Sequence, residues 1–276
     1  METPKGHDRK FLVCFYEFLG TALFQYIALL SGATGSDIWG IAGPLALFVV
    51  VNIFGGITGG HFNPAVTAGV YVREANYGGN LLFAILIMAS QIGGALIGML
   101  MVALVARVQV NGEYTIPATS VPLLLPSPVA AQVASGGGDV DKDEIFTTMY
   151  MQIVCTFLFV VLILFLTGKK TMAPDLGQWG LPAIILNLWA LCQVDTFTAP
   201  SFNPALAIGQ TTFQCWWYPT NPDGVLLFYL PWYIIGAWLG GILAGVFYLI
   251  LSSCFPDKEE EEKNLGKQVS INDEYQ

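Results

Sequence analysis

Charge is what this chain has least of. Asp, Glu, Lys and Arg make up 11% of its 276 residues, against 54% hydrophobic, whereas soluble domains carry about 25% charged residues. Arginine occurs at Arg9, Arg73 and Arg107 and nowhere in the second half, and histidine only at His7 and His61. So sparse a set gives no basic footprint for a nucleic acid, no His/Cys cluster at metal-ligand spacing and no phosphate loop. No metal, cofactor or nucleic-acid partner is therefore expected. The five cysteines, Cys14, Cys155, Cys192, Cys215 and Cys254, are odd in number and scattered mostly through apolar runs, which argues against a disulfide framework. The net charge of -9 includes an acidic run, Glu259, Glu260, Glu261 and Glu262, in one polar tail, so that sign is read as the tail's and not a substrate path's. With a mean hydropathy of +0.60, the chain reads as an integral membrane protein.

What the chain does have, it has twice. GGHFNPAVTAG runs from Gly59 to Gly69 and APSFNPALAIG from Ala199 to Gly209, so that Asn63 and Asn203 lie 140 residues apart. The same offset also pairs Trp39 with Trp179, Gly40 with Gly180 and Thr58 with Thr198.

Apolar runs at Phe11–Leu30, Trp39–Ile57, Leu81–Ala106, Ile145–Thr167, Trp179–Val194 and Val225–Ser252 predict six transmembrane helices, since about 20 apolar residues cross a bilayer. The first run is too long for a signal peptide and lacks a cleavage site. In the third, Gln91, Gly93, Gly94 and Gly98 give a small-residue face for close packing. The stretches 64–73 and 204–213 are too short to cross and must enter and return. Each begins with a proline, Pro64 or Pro204, which suits the first turn of a helix.

The expected architecture is thus an all-α membrane protein of six transmembrane helices plus two half-helices. Residues 1–10 form a cytoplasmic N-terminus, 11–107 a first three-helix repeat, 108–144 a long extracytoplasmic loop, 145–253 a second repeat, and 254–276 an acidic tail. Lys and Arg counts set the orientation: Lys5, Arg9, Lys10, Arg73, Lys169, Lys170, Lys258, Lys263 and Lys267 fall on one side, with Arg107 and Lys142 on the other. Both termini are then cytoplasmic, and three spans per half make the repeat inverted.

Irregular backbone at membrane depth is tolerated where it borders a water-filled cavity. Two half-helices meeting N-terminus to N-terminus present unpaired N–H groups and about half a positive charge each, which repels cations. Asn63 and Asn203 are placed to cap these ends with their side-chain oxygens and to turn their amide donors to a passing water.

The paired boxes Asn63-Pro64-Ala65 and Asn203-Pro204-Ala205 resemble those of the major intrinsic protein family, the aquaporins and aquaglyceroporins, over about residues 11–253. EFLGT at Glu17–Thr21, QIGGA at Gln91–Ala95 and IIGAWLGG at Ile234–Gly241 are similar to family motifs of helices one, three and six. The resemblance implies a passive channel for water and small neutral solutes in a lipid bilayer, assembled as a homotetramer. It also implies a loop brace of Glu17 and Gln152 with His61 beside it; Gln152 stands where the family has a second acid, so a weaker brace is expected there.

The family's filter arginine is replaced by Leu206 and its helix-five histidine is missing. Counting from the boxes places Gly43, Ala190 or Leu191, Pro200 and Leu206 at an uncharged outer filter. Such a filter either admits solutes larger than water, such as glycerol, urea, ammonia or peroxide, or dewets and chokes the mouth. A structural or docking membrane protein with this fold and little conduction is the rival reading. Its partner surface would be the 108–144 loop or the C-terminal tail. Asn52, Asn187 and Gln193 are candidates for a polar path or for bridges between helices. Ser270 in the tail and Cys254 at a membrane edge are candidate modification positions.

Overall fold

The computed structural model describes residues 6–33, 40–106, 108–110, 113–115, 123–134, 144–168, 171, 178–217 and 224–255. Ser270 and the acidic tail beyond residue 255 lie outside them. Six longer helices appear where the apolar runs predict them: α1 (Gly6–Ala33), α2 (Ala42–Thr58), α4 (Tyr77–Ala106), α6 (Ile145–Thr167), α7 (Gly180–Val194) and α9 (Val225–Ser252). Two half-helices interrupt the series, α3 (Pro64–Glu74) after α2 and α8 (Pro204–Trp217) after α7. At 1.5 Å per residue, their 11 and 14 residues reach only about 16 and 21 Å.

Helices α1, α4, α6 and α9 are long and apolar enough to cross a membrane, while α2 and α7 are shorter apolar helices. Large apolar side chains such as Leu82 and Ile85 on α4, and Leu243 and Ile250 on α9, stand exposed. A helix apolar all round is a buried helix or a membrane span. Exposure of these faces, on helices of this length, identifies a multi-pass integral membrane protein.

Packing follows the repeat. α1 lies on α4 and α2, α6 on α9 and α7, and each half-helix crosses to the other half of the chain, α3 onto α9 and α8 onto α4. The close approaches need glycine. A Cβ at Gly94 or Gly98 would collide with the backbone carbonyl of Phe18 or Ala22 on α1, and one at Gly241 with that of Ala65 on α3. Without a strong hydrophobic drive between helices in lipid, such close packing is one of the forces that hold them together.

The segment 108–144, read from sequence as an extended loop, is more ordered where it is described. Val108–Val110 and Glu113–Thr115 pair antiparallel as β1 and β2, an exception to the otherwise all-α fold. β-Branched and aromatic residues flank Asn111-Gly112 in the sequence, a strong hairpin signal. Helix α5 (Ser127–Ala134) follows, with Pro128 in its first turn, where proline starts helices as readily as it ends them. Leu124, Leu125, Val129 and Val133 pack with Ala207, Leu226, Tyr229 and Tyr233, and Ser127 donates its N–H to Phe197 O at 2.7 Å and its Oγ to Thr196 O at 2.7 Å. This part of the connection is therefore fastened over the second repeat.

Candidate pore

Asn63 caps α3. Its backbone is extended, and Oδ1 accepts from Ala65 N at 2.8 Å. Asn203 does the same for α8, accepting from Ala205 N at 3.0 Å and Leu206 N at 3.4 Å. Each cap satisfies donors that a helix start leaves orphaned. The other end of each amide crosses between the halves: Asn63 Nδ2 donates to Phe202 O, and Asn203 Nδ2 to Phe62 O, both at 2.9 Å. An Asn amide carries two hydrogens, and this cross-link uses one of them on each side.

The acceptors of this cross-link depend on an unusual backbone. Phe62 and Phe202 have φ of 46° and 49°, a left-handed region that costs a bulky residue about 1–3 kcal/mol unless its surroundings hold it there. Both rings are buried, that of Phe62 against Gly20 of α1, where a Cβ would strike it. Both peptide groups are pinned as well. Phe62 N donates to Glu17 Oε2 at 2.7 Å and Phe202 N to Gln152 Oε1 at 3.1 Å, while their carbonyls take the opposite asparagines. The two loops thus lock each other, and the helix starts are fixed face to face.

Glu17 gathers more than one donor. His61 N reaches Oε1 at 3.1 Å and Gln91 Nε2 reaches Oε2 at 2.7 Å; His61 Nδ1 lies 3.2 Å from Thr67 Oγ1. Glu17, Gln91 and Gln152 are fully buried.

The asparagines open on a cavity of about 270 Å³, room for several waters. Asn63, Asn203 and His61 are among its lining residues; Phe24, Leu47, Phe159 and Leu188 give it an apolar wall, and Gln25, Gln193, Gln210 and Ser201 add polar groups. No Asp, Glu, Lys or Arg is among the described residues that line it. Gly43, Pro200 and Leu206, expected at the outer filter, line this cavity, and a Cβ at Gly43 would meet nothing within 4 Å. Ala190 and Leu191 do not line it: Ala190 is exposed and Leu191 is in the core, and α7 presents Leu188 and Cys192 instead. Leu123 and Leu124, ahead of α5, also line the cavity, a contribution that residue spacing cannot foretell. Of the other polar candidates, Gln193 lines it, Asn52 Nδ2 donates to Phe48 O on its own helix at 2.8 Å, and Asn187 Nδ2 bridges α7 to Leu158 O on α6 at 3.3 Å.

The family model described as "Major intrinsic protein" matches residues 9–248. The chain is 29% identical over 248 residues to glycerol uptake facilitator protein-like 6 of Lactiplantibacillus plantarum, covering 89% of this chain and 99% of that protein. It is 28% identical over 256 residues to Aquaporin-8 of Notomys alexis, covering 90% and 83%. Among solved structures, the aquaglyceroporin from Plasmodium falciparum superposes with a TM-score of 0.63 at 19% identity, covering 87% of this chain and 95% of that one, a likeness of fold.

Proposed function

Because this chain belongs to the major intrinsic protein family, we propose that it conducts water and small uncharged solutes passively across a membrane, with Asn63 and Asn203 as the central constriction. The observation that carries this reading is the pair of capped, cross-linked half-helix starts at the floor of an uncharged cavity. Flux needs only a gradient, and the family is one of transporters and not of enzymes.

A water at the asparagines accepts from the remaining amide hydrogens, which fixes its oxygen toward them and turns its own hydrogens away from a continuous file. Cations meet the positive ends of α3 and α8. Glu17 and Gln152, with His61, hold the loops that carry the boxes. Gly43, Pro200 and Leu206 form the outer filter, joined on the α7 side by Leu188 and Cys192. Of the two filter behaviours, the wide one is supported by the cavity volume and the open space before Gly43. Glycerol, urea, ammonia and peroxide are the solutes it would admit. The repeats at 11–107 and 145–253 are the two halves of one pore, the termini are cytoplasmic, and four copies assemble with one pore each, as the family likeness implies.

Stopped-flow light scattering on purified protein in liposomes tests this. Rapid shrinkage in a sucrose gradient with a low activation energy is the expected result, followed by reswelling in glycerol and urea. Fluxes equal to those of empty liposomes, with insertion verified, would leave the docking reading in its place.

A further inference from the structure

We propose that Asp195 is the carboxylate that positions the second Asn-Pro-Ala loop, acting through Gln152. Between residues 178 and 217 it is the one charged residue in the sequence, and it is fully buried just after α7. Its Oδ1 accepts from Thr198 N at 3.0 Å, and its carboxylate takes the Thr198 hydroxyl at 2.6 and 2.7 Å. Gln152 Nε2 donates to Oδ2 at 3.2 Å and lies 3.3 Å from Thr198 Oγ1. Tyr233, through its hydroxyl, donates to Thr198 O, so the far side of the cluster is anchored to α9.

The consequence lies in which way the Gln152 amide points. In the first half a carboxylate meets the loop directly, as Glu17 takes Phe62 N. In the second half the loop donor, Phe202 N, needs an acceptor, and Gln152 has one oxygen and one NH2. Flipped, the amide would set its NH2 against Phe202 N–H and its oxygen against the Asp195 carboxylate, donor on donor and acceptor on acceptor. Asp195 makes the observed orientation the one in which every group is matched. The charge absent from α6 is thus present one residue further out, and the second brace is a two-residue relay.

This deepens the channel reading and rests on it for the flux readout, so a readout independent of conduction accompanies it. In Asp195→Asn, the oxygen that keeps Thr198 N–H turns the new NH2 toward Gln152 Nε2, donor on donor, and Gln152 can match it only by turning its oxygen away from Phe202 N. In Gln152→Glu, although a family acid is restored, two carboxylates face each other at the former donor position and are matched only while they share a proton. In the double variant the polarity is transposed: the carboxylate introduced on α6 needs no donor hydrogen of its own, because the Asn amide supplies it, and Phe202 N keeps its acceptor.

Amide hydrogen exchange at Phe202 in nanodiscs, with water flux per folded protein in liposomes, should follow that cycle. Asp195→Asn, and Gln152→Glu once rising pH removes the proton its carboxylates share, are each expected to lose protection at Phe202 by about tenfold, with lower flux, and the double to return to within about threefold of the parent. If Asp195→Asn fails to fold, recovery of folding in the double variant is the same result in another form. Asp195→Asn that behaves as the parent, or a double variant no better than the worse single, overturns the relay. No flux in the parent, with exchange following the cycle, would sink the channel and spare the relay; normal flux with exchange flat across the cycle would do the reverse.

Discussion

Glu17→Gln removes a charge from the first loop while preserving shape, and its cost can be worked from the donors around it. His61 N, Phe62 N and Gln91 Nε2 converge on two oxygens at 3.1, 2.7 and 2.7 Å. Glutamine offers one acceptor and one NH2. With its oxygen in the Oε2 place it keeps Phe62 and Gln91 but sets two donors against each other at His61; reversed, it fails Phe62. A hydrogen bond to a charged group is worth about 1.5–3 kcal/mol, and a buried donor left unmatched costs about 1–3 kcal/mol. One bond lost and the others weakened come to about 3–5 kcal/mol by the same reckoning. The left-handed backbone of Phe62 then loses part of what holds it, and its carbonyl is the acceptor of Asn203. At about 2–3 °C per kcal/mol, thermal unfolding in detergent should fall by about 6–15 °C, and exchange of the Phe62 amide should rise in step. A midpoint within about 2 °C of the parent, with Phe62 still protected, would refute the reckoning.

Gly43→Phe places a ring in space that is open in the parent; glycerol and urea reswelling should slow by about tenfold, the effect of about 1.4 kcal/mol, with water slowed less, and an unchanged solute-to-water ratio would count against Gly43 as filter. Leu206→Arg should shift permeation toward water, and no change in the glycerol-to-water ratio in the same assay would remove Leu206 from the filter. Asn203→Asp keeps an acceptor for Ala205 N but loses the donor to Phe62 O and adds a negative charge at the constriction. It should open a cation leak measurable in planar bilayers, and a tight bilayer would undo the electrostatic account. Gly241→Val drives a side chain into the Ala65 carbonyl; a loss of several kcal/mol, about 3 or more, should appear as loss of the monodisperse peak on size exclusion, and a normal peak would show that α3 can move aside.

The half-helices were legible because a proline-led segment of about ten residues cannot span a bilayer, and because the pattern occurs twice. The cap role of the asparagines was legible for the same reason: their place before Pro64 and Pro204 leaves little else for the side-chain oxygen to do. Their nitrogens were not, because those bonds exist only through the left-handed turns at Phe62 and Phe202, and nothing in an aromatic residue announces positive φ. The α7 wall escaped for a geometric reason. One residue of miscounting turns a helical side chain by about 100°, so counting to Ala190 or Leu191 pointed away from the cavity that Leu188 and Cys192 line. Asp195 did leave a signal, a lone acid in a long uncharged stretch three residues before a threonine, but its partner Gln152 is 43 residues away. Leu123 and Leu124 left none, since the long connection carries no register relative to the helices it covers.

In the proposed channel, exclusion of ions and choice among neutral solutes fall to different layers, and the missing filter arginine affects only the second. The starts of α3 and α8 each contribute about half a positive charge. A cation that reaches them has left most of its water, and at an effective dielectric of about 20 a full unit of like charge 4 Å away costs about 4 kcal/mol, about a thousandfold in rate. Among the described lining residues no acid offsets that field. Neutral solutes do not feel it to first order; they feel the width set by Gly43, Pro200 and Leu206, which can vary without lowering the ion barrier. The separation can be measured, because Gly43→Phe should change solute flux and leave ion conductance at background, while Asn203→Asp should raise conductance and leave the solute ratio nearly as it was. A solute-filter variant that leaked ions would show that the barrier is shared between the layers, and that the half-helix ends do not suffice alone.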